Sequence, residues 1–188
     1  ETRFTGGKLS MKVSETGTSY YNVFVDGKLH KVVKVCGTDT LIHLVSGIDK
    51  RIHSLKIQKR SEGEFGKTTV HQFVLSGSGR LAEEPAVRTR HIEFIGNSLT
   101  CGYGTDGKHR DEPFLVETEN CNLTFASMIA RYYDADYTLI AHSGRGAARN
   151  YGDSVRVSKV TMKDRMLNTF DEDLTHKWNF KGDRKSVV

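Results

Sequence analysis

The chain has 188 residues, 37% hydrophobic and 27% charged, enough for one large domain or two small ones with a proper core. Its 28 Lys and Arg against 23 Asp and Glu leave a net charge of +5. The basic residues are interleaved with acids, and the one short cluster, KGDRK at residues 181–185, reads as a solvated face, which argues against nucleic acid as a partner.

The longest apolar runs are only a few residues, too short for a membrane span, and the opening ETRFTGG shows no charged region followed by an apolar one, so no signal peptide is visible. The cysteines, Cys36, Cys101 and Cys121, have neither CxxC nor a His-Cys zinc spacing. Three buried thiols is the preferred reading, with one disulfide plus a free thiol as the alternative. No metal or other cofactor is expected.

In chain order, residues 1–77 read as strands. KLSMKVSE alternates Leu9, Met11 and Val13 against polar neighbours, and YYNVFVDGKLHKVVKV turns at Asp26-Gly27, a pair that accepts the positive φ angles of a tight hairpin. DTLIHLVSG, HSLKIQKRSE and TTVHQFVLSG follow, each bounded by Gly, Ser or Asp. About seven short strands without helical periodicity predict an antiparallel β-sandwich, a jelly roll by preference, with an upstream strand or more missing. Residues 78–90, mixing glycine, charge and one of two prolines, read as a linker.

From His91 the periodicity changes. HIEFIG is a short strand, NLTFASMIARYYDAD a helix with a wide apolar surface, YTLIAHSG a second strand, and VTMKDRMLNTF a second helix. KSVV at residues 185–188 begins another apolar segment. The alternation predicts an α/β domain over residues 91–188 with a parallel sheet and crossover helices. Two strands and a stub are too few for such a sheet, so this domain reads as truncated, with an exposed strand edge and bare apolar helix faces.

Ligands of open α/β sheets bind beyond the carboxyl ends of the strands, where Ser98 and Gly144 fall. A serine nucleophile needs a base and donors for the oxyanion; Gly144, without a Cβ, and the Ser98 N–H suit the second task. Equally, Gly-Asn-Ser after a strand is a common helix-capping turn, and HSGRG a tight turn whose Arg145 pairs with a carboxylate. The G-x-S-x-G elbow is absent, because Thr100 stands at its second glycine. GYGTDG lacks the lysine of a phosphate loop. His109, in the loop after Ser98, and His142, just before the glycine turn, are the local histidines that could approach Ser98, though nothing in the sequence orients either; His91 starts a core strand and His176 sits in a connector.

IEFIGNSLTCGYG resembles the first sequence block of the SGNH (GDSL-type) hydrolases, and most closely that of the acetylxylan-esterase-like carbohydrate esterases of family two. YYNVFVDGK and KRSEGEFG resemble that family's sandwich strands and HSGRGAARNYGD its second block, so the similarity covers nearly the whole chain. The resemblance implies a jelly roll followed by a flavodoxin-like SGNH domain. It implies Ser98 as nucleophile, Gly144 as an oxyanion-hole donor, and removal of O-acetyl groups from plant polysaccharide through an acyl-serine, with no cofactor. Rim aromatics such as Tyr103 could stack on sugar, although an isolated tyrosine is more often structural.

An acetylated polysaccharide or oligosaccharide is the implied partner, and an extracellular or periplasmic location follows from the same resemblance. Two departures stand out. Asn97 replaces the family's Asp, and the third and fourth blocks, which supply an asparagine donor and the catalytic histidine, are not in these 188 residues. This chain alone is therefore expected to be nearly inactive, its α/β domain completed by a C-terminal segment or a second polypeptide. The alternative reading is a non-catalytic carbohydrate-binding sandwich with a vestigial SGNH fragment.

Overall fold

The computed structural model describes residues 1–83, 88–170 and 173–179. It divides into two units, Glu1–Arg60 with Phe65–Val87, and Ser61–Glu64 with Arg88–Val188. Among the described residues the chain is mostly antiparallel sheet with few helices.

The first unit holds β1 (Thr2–Glu15), β2 (Thr18–Val25), β3 (Lys28–Cys36), β4 (Thr40–Lys59), β5 (Thr68–Ser76) and β6 (Leu81–Ala82). The sheet order is β3-β2-β4-β1-β5, with β6 also pairing β1. The segments DTLIHLVSG and HSLKIQKRSE are parts of one twenty-residue strand, β4, rather than two. The intervening Ser-Gly is a bulge: Gly47 takes φ +72°, and the β1 pairing moves from Leu9↔Val45 to Gly7↔Ile48 across it. An extra residue of this kind bends a strand without ending it.

The predicted hairpin joins β2 to β3, with Asp26 at φ +51° and Gly27 at φ +75°. Asp26 is held from outside the turn as well. Its Oδ1 accepts the Ser54 N–H at 2.9 Å, and its Oδ2 meets His53 Nδ1 at 2.8 Å. Phe4, Leu9, Met11, Val13, Val23, Val33, Val35, Leu44, Val45 and Leu55 form one buried cluster. Since, among the described residues, β3 hydrogen-bonds only β2, the presence of Val33 and Val35 beside the β1 residues requires the sheet to fold over on itself.

The second unit contains β7 (His91–Gly96), α1 (Ser98–Cys101), α2 (Phe125–Tyr132), β8 (Asp136–Ala141), α3 (Met162–Arg165), β9 (Asn168–Phe170) and β10 (Asp173–Lys177). β7 and β8 pair in parallel from His91↔Asp136 to Gly96↔Ala141. α2 buries the small residues Ala126, Ser127 and Ala130, while Phe125, Met128, Ile129 and Tyr132 remain exposed. Phe125 meets Phe94 of β7 edge-on, with centroids 6.3 Å apart.

Two expectations are corrected. VTMKDRMLNTF is one helical turn, closed by a Thr161–Asp164 capping box, followed by a strand. Asn168, Thr169 and Phe170 are poor helix formers, and Asn168 pairs with Lys177 of β10. The three cysteines are free, but Cys36, the last residue of β3, is exposed, and only Cys101 and Cys121 are buried. The apolar KSVV segment and the KGDRK cluster lie outside the described residues. No helix among those described is long and apolar enough to cross a membrane.

Candidate functional site

Ser98 opens α1 directly beyond the carboxyl end of β7. Asn97 caps the helix: its Oδ1 accepts the Leu99 N–H at 3.1 Å, and its carbonyl accepts the N–H groups of Thr100 and Cys101 at 2.8 and 3.0 Å. The turn is tight because position 96 is glycine. A Cβ there would fall 2.1 Å from Thr100 Oγ1, so the buried Thr100 packs where any larger residue would clash. Thr100, at the elbow's second glycine, is thus a packing residue of this turn. The helix ends at Gly102 in a left-handed conformation, with φ +90°.

Beyond β8 the His142 N–H reaches the Gly96 carbonyl at 3.4 Å, carrying the strand pairing one step past the sheet. A turn closed by the Arg145 N–H on the His142 carbonyl (3.2 Å) then presents Gly144 at φ +73°, a conformation that any side chain would strain. The Gly144 carbonyl accepts the Tyr151 N–H at 2.8 Å. Among the described residues, neither the Ser98 N–H nor the Gly144 N–H has an acceptor. Ser98 and Gly144 therefore stand at the same carboxyl edge of two neighbouring parallel strands, each with a free backbone donor.

The loop after Gly144 is fixed by Asn150, which is buried. Its Oδ1 accepts the Gly146 N–H at 3.3 Å, its Nδ2 donates to the Val160 carbonyl at 2.8 Å, and its N–H donates to Ser158 Oγ at 2.9 Å. Tyr151 follows with 92% of its surface exposed. Tyr103, by contrast, stacks on Phe114 with centroids 3.9 Å apart and planes 12° from parallel.

Under both turns lies a buried acidic cluster that periodicity gave no reason to expect. Glu62 Oε2 accepts the Ser143 N–H at 2.7 Å and the Cys101 thiol at 3.4 Å. The Glu62 N–H donates to Glu119 Oε2 at 3.0 Å, and Glu64 Oε2 lies 3.3 Å from Nε2 of the buried His142. Burial, and then the neighbouring Glu62 charge, push the Glu119 carboxyl up to about 8. Burial, with the Glu62 and Glu119 charges, also raises the Cys101 thiol, which keeps it a donor. Glu62, Glu64 and His142 bring potential ligand atoms within 4.8 Å of one another. Of these atoms Glu62 Oε2 already accepts two donors and His142 Nε2 faces Glu64, while Glu62 Oε1 is buried without a hydrogen-bond partner.

The four histidines considered from sequence are placed as follows. His91 Nε2 lies 2.9 Å from Thr138 Oγ1, His142 is buried against Glu64, His176 is exposed beside Asp173, and His109 is exposed in the loop after α1. Among the described residues, none hydrogen-bonds Ser98.

The fold class is a mostly antiparallel β unit followed by a unit with a parallel strand pair, and it agrees with what comparison with known proteins finds. The family model described as carbohydrate esterase 2 N-terminal matches residues 1–85. An acetylxylan esterase / glucomannan deacetylase from Cellvibrio japonicus is 30% identical over 184 residues, 96% of this chain and 50% of that protein. The cellulase/esterase CelE of Acetivibrio thermocellus is 35% identical over 152 residues, 81% of this chain and 19% of that protein. A family two carbohydrate esterase from Clostridium thermocellum, solved in complex with cellohexaose, matches with a TM-score of 0.88 and 32% identity, covering 96% of this chain and 54% of the other.

Residues 1–85 carry the carbohydrate esterase 2 N-terminal domain, and the chain as a whole is similar to carbohydrate esterases of family two. It spans half or less of the length of these two curated relatives.

Proposed function

We propose that the chain is the N-terminal part of a carbohydrate O-acetylesterase, built as a jelly-roll sandwich (residues 1–77), a linker (78–90) and the first part of an SGNH domain (91–188). Ser98 is its nucleophile and Gly144 an oxyanion donor. The observation that carries this reading is the pairing of a serine and a glycine turn at the carboxyl ends of β7 and β8, both with unengaged N–H groups.

The Ser98 hydroxyl attacks the acetyl carbonyl while a base removes its proton. The N–H groups of Ser98 and Gly144 stabilise the charge that develops on the carbonyl oxygen. Collapse returns the proton to the departing sugar oxygen and leaves an acetyl-serine, which water hydrolyses to acetate. No described histidine bonds Ser98, so the base is assigned, with the third oxyanion donor, to a part of the SGNH domain not contained in these residues. An acetylated polysaccharide or oligosaccharide is the substrate, a choice supported by the Cellvibrio and Clostridium relatives' named activity and bound cellohexaose.

In the full-length protein, Ser98→Ala is expected to lower deacetylation of acetylated xylan by more than about a thousandfold while saccharide binding persists. Deacetylation at an undiminished rate would contradict the assignment. Binding of the saccharide with no ester turnover in the unmutated protein would instead support a binding module.

A further inference from the structure

The Glu62 carboxyl group bonds to both turns of the candidate site. Glu62 lies in Ser61–Glu64, a short segment between β4 and β5 that belongs to the second unit. Its Oε2 takes the N–H of Ser143, the residue before Gly144, and the thiol of Cys101, the last residue of the helix that Ser98 begins. Its own N–H is held by Glu119 Oε2. Glu62, Cys101 and Glu119 are all less than 10% exposed. A buried carboxyl group is a costly feature to place in a protein interior, and here one of its oxygens ties two segments to one point.

We propose that Glu62 is a positioning residue of the esterase site, itself held through its backbone N–H by Glu119: it holds the Gly144 turn and the Ser98 helix in fixed relation, so that the oxyanion donors face the nucleophile. The proposal rests on the reading of Ser98 and Gly144 given above. Its physical basis is geometric. A displacement of about 1 Å in a group that orients reacting atoms costs on the order of a hundredfold in rate, and the 2.7 Å bond to Ser143 lies one residue from the proposed donor.

The pair also gives the site a pH dependence. Two carboxyl groups in one buried site cannot both ionise cheaply, and Glu119 is the one pushed up, so at neutral pH it keeps a proton. The other ionisable groups at the cluster are Glu64, which adds to the negative charge on Glu119, His142, which faces Glu64, and the Cys101 thiol, which stays protonated. As Glu119 loses its proton above about pH 8, negative charge develops beside the segment that holds Ser143 and works against the positioning.

The test is the pH profile of kcat for ester hydrolysis in the full-length protein, compared among the unmutated enzyme, Glu119→Gln, Glu62→Gln and Glu62→Leu, with thermal melting as the control for folding. The unmutated enzyme should lose kcat above about pH 8 with KM little changed. Glu119→Gln is permanently neutral and its amide oxygen can still accept the Glu62 N–H, so it should keep neutral-pH kcat and lose the alkaline limb. Glu62→Gln should also lose that limb, because an amide opposite an ionised Glu119 creates no like-charge pair. Glu62→Leu should lower kcat about tenfold to a hundredfold with KM little changed, even when assayed well below its own melting temperature so that the variant is folded.

If both Gln variants keep the unmutated pH profile, or Glu62→Leu keeps its kcat, the positioning role is overturned. That outcome is separate from failure of the site itself, which Ser98→Ala would reveal by retaining activity.

Discussion

Asn97 stands where the family block has Asp, and the structure gives it a backbone task that either side chain performs. Its Oδ1 caps the Leu99 N–H, and carboxylates and amides serve almost equally well at that position. Asn97→Asp is therefore expected to leave the urea midpoint within a few tenths of a kcal/mol of its starting stability, whereas Asn97→Ala should cost about 1 kcal/mol. An unchanged midpoint in the alanine variant would show that the cap contributes nothing.

Tyr151 is the aromatic that the sequence did not single out. It is nearly fully exposed and tied through its N–H to the Gly144 carbonyl, while Tyr103, the residue chosen from sequence, already has a ring against Phe114. Removing a ring on which a sugar stacks weakens binding more than chemistry. Tyr151→Ala should raise KM for an acetylated oligosaccharide severalfold with kcat nearly constant, and a fall in kcat alone would contradict a stacking role.

At the scale of elements, the hairpin at Asp26-Gly27 was legible because its two residues state the turn chemistry outright. What holds it was not. His53, 5% exposed, lies 2.8 Å from Asp26 and 3.0 Å from Asp49, two residues brought together only by the pairing of β2 with β4. The bond to Asp26 raises the His53 imidazole above its usual range; Asp26 is held low by the same bond, and Asp49 chiefly by its bonds from Arg51.

The imidazole's contribution is complete below its unfolded value of about 6.5 and is lost as pH rises through the raised folded value. The aspartates' contributions are complete above about 4 and are lost as pH falls through their lowered values. The triad should therefore stabilise the first unit most between about pH 4 and 6.5. In melting experiments, Asp26→Asn should lower the transition temperature at pH 5.5 by more than at pH 9, and an equal effect at both would exclude the ionic part of the interaction.

β4 and α3 show the opposite limit of local reading. A Ser-Gly pair marks a strand end in sequence, yet here the β1 ladder continues past Gly47 as a bulge. The Thr161 capping box correctly marks a helix start, but pairing of Asn168 with Lys177 takes over after one turn.

For the whole molecule, the change from period-two to helical patterning at His91 was visible in the chain, and the parallel pairing of β7 with β8 follows it. The positions of Ser98 and Gly144 at one sheet edge could be anticipated from where each strand ends. Glu62 and Glu119 could not, because a lone glutamate after a strand or in a loop reads as solvated surface. Their burial depends on contacts between segments 57 residues apart, which no local pattern records. The membership of Ser61–Glu64 in the second unit has the same origin.

The central claim is that Ser98 carries the acyl group. The measurement that tests it most directly is peptide mass spectrometry of the full-length protein after reaction with a serine-directed phosphonate ester. A single adduct is expected on the peptide containing Ser98, formed in step with loss of deacetylase activity and absent from the Ser98→Ala variant. Loss of activity with the adduct on another residue, or undiminished labelling and turnover in Ser98→Ala, would contradict it.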